Sequence, residues 1–243
     1  MKSGHGLAFL FPGVGSEYSG MGRYVFDNFP CARAVFEQAS AAAERDIAKL
    51  CFDADEADRL GDLANAKLAV VTASVAASRV VIEDFGIEPD YCAGHSVGEY
   101  SALCCAGVLG LDDAVKLLQA RAGLIEALLS SAAGTMAWAI NLPNEKVEAI
   151  AATLQEQGHR VYLSAFDCPD QTSLSCSKES FAATAAAVEE AGGILVPINA
   201  PGPFHCPLMQ VASERYREVL AQCEFGKADF PVLANYDARP YPE

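Results

Sequence analysis

Apolar residues run from Leu7 to Phe11 and stop at the punctuation PGVGSEYSGMG, a pattern that predicts a short buried strand feeding a glycine-rich loop. Three- and four-residue apolar spacing then predicts helices over about Cys31–Cys51 and Ala66–Phe85, the second closed by Gly86 as a C-cap. DYCAG reads as another short strand, leading straight into Ser96 and a further helix. Strand, helix, strand, helix at this spacing implies a parallel sheet covered by helices.

The rhythm changes after Ser131. GTMAWAIN, RVYLSAF, QTSLSC and GILVPIN read as strands, and the stretches from Pro143 to Gly158 and from Ser177 to Gly192 as helices. The order is β-α-β-β-α-β, a ferredoxin-like unit. The expected organisation is a large domain of residues 1–130 and 200–243 with an inserted small domain of residues 131–199. APGPFHCPLM, with three prolines and a glycine, is the loop by which the chain returns to the large domain.

Composition narrows the functions this plan can serve. Of 243 residues 51% are hydrophobic and 20% charged, enough for a substantial core. A formal net charge of −15 argues against nucleic-acid binding, which needs a basic surface to neutralise phosphates. The nine cysteines are scattered, odd in number and free of C-x-x-C, so neither a disulfide scaffold nor a zinc site fits. The apolar run MKSGHGLAFLFPG is too broken for a signal peptide, and LAVVTASVAAS is too short and polar to span a membrane. A soluble, cytoplasmic protein is expected.

The chemistry centres on Gly94-His95-Ser96-Val97-Gly98. G-x-S-x-G between a strand and a helix is the nucleophile elbow, where a sharp turn lifts the serine oxygen beside a helix N-terminus. In that context a nucleophile is favoured over a plain turn serine. A serine needs a base. Among the four histidines, His5 lies in the N-terminal tail, His95 turns away around the elbow, and His159 follows a helix end. His205 in the proline-rich loop is the best base, with a simple loop histidine as the alternative. Spacing does not select an acidic third member.

Taken together, the ordered motifs resemble malonyl-CoA:acyl-carrier-protein transacylases and the acyltransferase domains of polyketide and fatty-acid synthases. They are FPGVGS (Phe11–Ser16), GHSVGEYSAL (Gly94–Leu103), QARAG (Gln119–Gly123), GTMAWAI (Gly134–Ile140), CPDQTSLSC (Cys168–Cys176), FHCPLM (Phe204–Met209) and VLANYDARP (Val232–Pro240). The resemblance implies an α/β-hydrolase-like large domain with a mostly parallel sheet and a ferredoxin-like insert. It implies a ping-pong reaction in which Ser96, activated by His205, takes an acyl group from coenzyme A and passes it to the phosphopantetheine thiol of an acyl carrier protein. Within that implication a Ser-His dyad suffices, its histidine oriented by backbone carbonyls. The backbone N–H groups of Val14 and Val97 form the oxyanion hole. Arg121 holds the malonyl carboxylate, Phe204 excludes an α-methyl branch, and no metal or bound cofactor is needed, coenzyme A entering as a thioester substrate.

The chain departs from the family pattern at several places. Val14 replaces a usual Gln, Asn65-Ala66-Lys67 replaces Thr-Gln-Pro, and Asp167 replaces Asn. Family members also continue some tens of residues past the position of Glu243, into a segment that completes the large domain. Two alternative functions remain: an acyl hydrolase acting on carrier proteins, disfavoured because it has no carboxylate for Arg121 to hold, and a non-catalytic docking subunit, disfavoured by the presence of both Ser96 and His205.

Overall fold

The computed structural model describes residues 6–129 and 134–242; His5 and the expected boundary at residue 131 lie outside them. In chain order the elements are β1 (Ala8–Phe11), α1 (Arg23–Asn28), α2 (Pro30–Ala43), α3 (Ile47–Phe52), α4 (Ala57–Leu60), α5 (Leu63–Glu83), β2 (Tyr91–Gly94), α6 (Gly98–Cys105) and α7 (Leu111–Leu129). Then come β3 (Gly134–Ile140), α8 (Asn144–Glu156), β4 (Val161–Cys168), β5 (Gln171–Ser177), α9 (Phe181–Glu190), β6 (Ile194–Ile198), α10 (Gln210–Leu220) and β7 (Val232–Leu233). They pack into two units, Met1–Ala122 with Val219–Glu243, and Gly123–Glu218.

The first unit is built on a three-stranded parallel sheet in the order β1-β2-β7. Phe11, Cys92, Ala102, Ala106 and Val232 form the core between this sheet and α6. The small side chains on α6 let it lie close over the strands. α5 packs on α2 and α6, with Val71, Val75 and Ala76 at most 2% exposed. α5 runs for 21 residues and holds an 18-residue window of mean hydropathy 1.3, so length and composition alone would let it cross a membrane. Since 67% of the apolar window is buried inside the structure, its hydrophobicity is that of a core helix.

The single helix expected over Cys31–Cys51 is instead two. Glu44 adopts φ 51° and ends α2, and Asp46 then caps α3 by accepting from the Lys49 N–H at 2.7 Å. α5 also begins earlier than expected, at Leu63, and Gly86 (φ 64°) turns the chain after it as foreseen.

The second unit holds an antiparallel sheet in the order β4-β5-β3-β6, with α8 packed against α9. β5 is central, and its alternation explains both of its faces. Leu174 and Cys176 join the core with Val147, Leu154, Val161 and Val188. Ser173, Ser175 and Ser177 are buried too, and each hydroxyl has a partner, as burial of a polar group requires. Ser177 does not cap the following helix. Its hydroxyl bonds that of Ser180 at 3.1 Å, and a 3₁₀ turn over Lys178–Ser180 precedes α9.

Candidate active site

Ser96 has φ 51°, the left-handed region that a residue with a Cβ rarely occupies. Such strain costs on the order of 1–3 kcal/mol and persists only where the surroundings impose it. The surroundings are two glycines. A Cβ on Gly94 would lie 2.0 Å from the Gly98 carbonyl carbon, and one on Gly98 would lie 2.3 Å from the Phe11 carbonyl oxygen. The chain therefore folds back on itself within four residues while pressing against the end of β1. His95 completes the fit: its N–H donates to the Phe11 carbonyl at 2.8 Å, and its ring lies against Gly13.

Three strand ends meet at this turn. In a parallel sheet, the carboxyl ends of adjacent strands open onto one edge, where such folds place their ligands. β1 ends in the Pro12–Ser16 loop, β2 ends two residues before Ser96, and β7 ends two residues before Asn235. The Ser96 N–H donates to Asn235 Oδ1 at 3.3 Å. The Asn235 N–H and the Tyr241 hydroxyl both donate to Glu99 Oε1 at 2.8 Å, which locks the post-β7 segment to α6. Burial, and then the bond to Glu99, push the Tyr241 phenol well above its ordinary range. Sequence reasoning assigned no role to Asn235 or Glu99. Both stand inside recognised motifs, and that was the only signal available, because the contact joins residues 139 positions apart.

The backbone donors around Ser96 are unevenly committed. In the Pro12–Ser16 loop the Gly15 N–H is held by Glu17 Oε2 at 2.7 Å, and the Ser16 hydroxyl donates to the Gly13 carbonyl. Among the described residues the N–H groups of Val14 and Val97 meet no acceptor. Val97 is the N-cap of α6, so its N–H also carries the positive end of the helix dipole. Two uncommitted N–H groups beside a strained serine can stabilise an anionic oxygen.

Two cations stand near each other on α5 and α7. Lys67 is 4% exposed, and its Nζ has no hydrogen-bond partner. Burial, and then the nearby Arg121, lower its ammonium to about 7. Arg121 is partly buried and makes no ion pair among the described residues.

Phe204 and His205 belong to the second unit. The Phe204 carbonyl accepts from Ser175 Oγ at 2.6 Å, and Ser164 Oγ lies 3.0 Å from the same oxygen. Pro203 fills the space where a Cβ on Gly134 would go, at 2.5 Å. This loop is thus clamped to the polar face of the sheet, and it ends with His205 exposed at φ 55°. Asp167, which stands where the family pattern has Asn, accepts from the Ser173 hydroxyl at 2.7 Å. Burial raises the thiol of Cys206, next to His205, so it is not a ready thiolate. His159 is half-buried at the end of α8. Among the described residues no cluster of His, Cys, Asp or Glu is placed to hold a metal ion, and all nine cysteines are free thiols.

An α/β fold with a strained serine at the carboxyl edge of a parallel sheet defines a class of α/β proteins that carry a serine on a tight strand-to-helix turn. Within that class the chain belongs to the acyl transferase domain family, whose pattern matches residues 8–240. It is 36% identical over 236 residues to a malonyl CoA-acyl carrier protein transacylase of Bacillus subtilis strain 168, covering 96% of this chain and 73% of that one. A second Bacillus subtilis protein of that name is 36% identical over 235 residues, and there the match spans 97% of this chain but 58% of the relative. Among solved structures, the malonyl CoA-acyl carrier protein transacylase of Coxiella burnetii superposes with a TM-score of 0.90 at 32% identity, covering 97% of this chain and 74% of that one. A type II polyketide-synthase malonyl-transacylase, solved with its acyl-carrier protein, gives 0.91 at 32% identity, covering 98% and 77%.

Proposed function

We propose that this chain transfers a malonyl group from coenzyme A to the phosphopantetheine thiol of an acyl carrier protein through an ester on Ser96, in fatty-acid or polyketide synthesis. His205 takes the Ser96 hydroxyl proton as the oxygen attacks the thioester carbonyl. The carbonyl oxygen becomes an oxyanion between the N–H groups of Val14 and Val97. Collapse of that intermediate breaks the C–S bond, and coenzyme A leaves as a thiol with the proton held by His205. The carrier's thiol then attacks the ester, gives its proton to His205, and Ser96 leaves as the hydroxyl with that proton. Arg121 holds the malonyl carboxylate, because a guanidinium fork donates to both its oxygens at once. Phe204 closes the position an α-methyl branch would occupy.

The observation that carries this reading is Ser96 itself, a non-glycine held at φ 51° beside two backbone donors that have no acceptor. The relatives' names and the carrier-bound neighbour support the substrate and partner. The topology of residues 134–198 supports a ferredoxin-like insert (131–199) in an α/β-hydrolase-like large domain (1–130 and 200–243), because strands β3 to β6 pair among themselves in the order β4-β5-β3-β6. No cofactor, nucleic acid or membrane has a part in this chemistry, and the cytoplasm is where both substrates are available to a soluble family member. Mixing the protein with malonyl-CoA and measuring intact mass tests it: a malonyl adduct absent from Ser96→Ala is expected. An adduct that persists in Ser96→Ala overturns the nucleophile, and one that water removes as fast as it forms favours an acyl hydrolase.

A further inference from the structure

Lys67 poses a problem that the reading above leaves unsolved. It sits in the second turn of α5, an otherwise apolar core helix, 4% exposed, with an amine that bonds to nothing. An isolated buried ammonium is among the costliest groups a protein can hold. The charge that acts on it is Arg121, of the same sign. The polar groups at the start of α5 are committed elsewhere: Asn65 bonds Arg45, the Arg59 carbonyl and Asp62. A chain with 32 acidic residues has placed no carboxylate on either cation among the described residues. Two adjoining cations with no carboxylate partner among the described residues, one of them buried, are the donor set of an anion site.

We propose that Lys67 and Arg121 together bind one carboxylate, that of the dicarboxylic acyl group, and that Lys67 is the second determinant of selectivity for such groups over neutral acyl chains. This rests on the reading that Arg121 faces the acyl group. The donor sets are complementary: the guanidinium fork takes both carboxylate oxygens in plane, and the ammonium, a compact donor, takes a further lone pair. Paired this way the buried ammonium gains the counterion it lacks. Burial beside Arg121 weakens the hold of Lys67 on its proton, which agrees with a buried amine placed to take a counterion. A neutral acyl group would leave Arg121 and the buried Lys67 amine without an acceptor, a penalty that works against the wrong substrate.

The test compares wild type, Lys67→Met and Lys67→Arg in acylation of Ser96 by malonyl-CoA and acetyl-CoA, followed by intact mass. Lys67→Met is expected to lower the malonyl-to-acetyl ratio of kcat/KM by about tenfold or more, and Lys67→Arg to recover most of it. A parallel melt with monomethyl malonate, which carries one carboxylate, is expected to stabilise wild type and Lys67→Arg but not Lys67→Met. An unchanged ratio, with both rates falling together, overturns the proposal and makes Lys67 structural. If wild type gains no ester on Ser96, the transfer reading fails, and the half-ester melt alone then decides the anion site. Stabilisation of Lys67→Met equal to wild type overturns it.

Discussion

A methyl group on Gly94 would lie 2.0 Å from the carbonyl carbon of Gly98, closer than any real contact allows. The two glycines are what let β2 turn into α6 through Ser96, so the serine's strained backbone is a consequence of its neighbours.

Gly94→Ala is therefore expected to cost about 3 kcal/mol or more, because backbone rather than a movable side chain fills the space. Gly123→Ala is the contrasting case. Gly123 lies in α7 with nothing within 4 Å of the added carbon, and alanine there should stabilise by about 0.5–1 kcal/mol. Thermal melts of the two variants read the difference directly; equal effects would contradict the elbow geometry.

Glu99→Ala removes one carboxylate oxygen that serves both the Asn235 N–H and the Tyr241 hydroxyl. Leaving those donors without their acceptor should cost about 1–3 kcal/mol. Tyr241→Phe removes only one of the two bonds and should cost less. Chemical denaturation of both variants checks the order, and a larger loss for Tyr241→Phe would refute it.

Lys67 makes stability rise with pH, as a carboxylate with a depressed pKa does, but in an alkaline window. Folded, it holds its proton only below about 7, whereas unfolded it does so up to the ordinary 10.5. Between those values the unfolded chain binds the extra proton, so the residue's contribution to stability rises with pH. Its penalty is greatest below pH 7, where the buried ammonium stays charged. Lys67→Met should thus stabilise the fold more at pH 6 than at pH 9, the gain falling by up to about 1.4 kcal/mol per pH unit across the window. An equal gain at both values would show that Lys67 titrates normally.

Arg121→Ala should lower the malonyl-to-acetyl ratio of kcat/KM by about tenfold to a hundredfold, since a charge-assisted pair contributes on the order of 1.5–3 kcal/mol. Arg121→Lys should restore little of it, an ammonium having no fork. A parallel fall of both rates would assign Arg121 to structure.

Much of this was legible in the chain itself. Strand alternation placed β3 to β6 within about two residues, because period-two patterning with one apolar face leaves few other readings. The parallel sheet followed from the strand-helix order. The break at Glu44 was hidden by alanines that suit a helix on either side of it, with Asp46 the only local sign of a new start. The helix expected from Ser177 begins at Phe181, because Ser177 and Ser180 pair their hydroxyls across a 3₁₀ turn. At the site, the glycines and Ser96 were visible because a turn writes itself into local sequence. Asn235 and Glu99 were not, since their roles depend on strands far apart in the chain. Lys67 stood out only as a departure; what isolates it is the packing of α5, which no local pattern encodes.

The central claim is that Ser96 carries the acyl group between two thiols. Intact-mass spectrometry after brief exposure to malonyl-CoA, followed by addition of a holo acyl carrier protein, tests it in one experiment. The account predicts one malonyl group per chain, mapped to Ser96, stable in buffer and lost to the carrier's thiol on mixing. No adduct, an adduct on another residue, or loss to water without gain of mass on the carrier would contradict it.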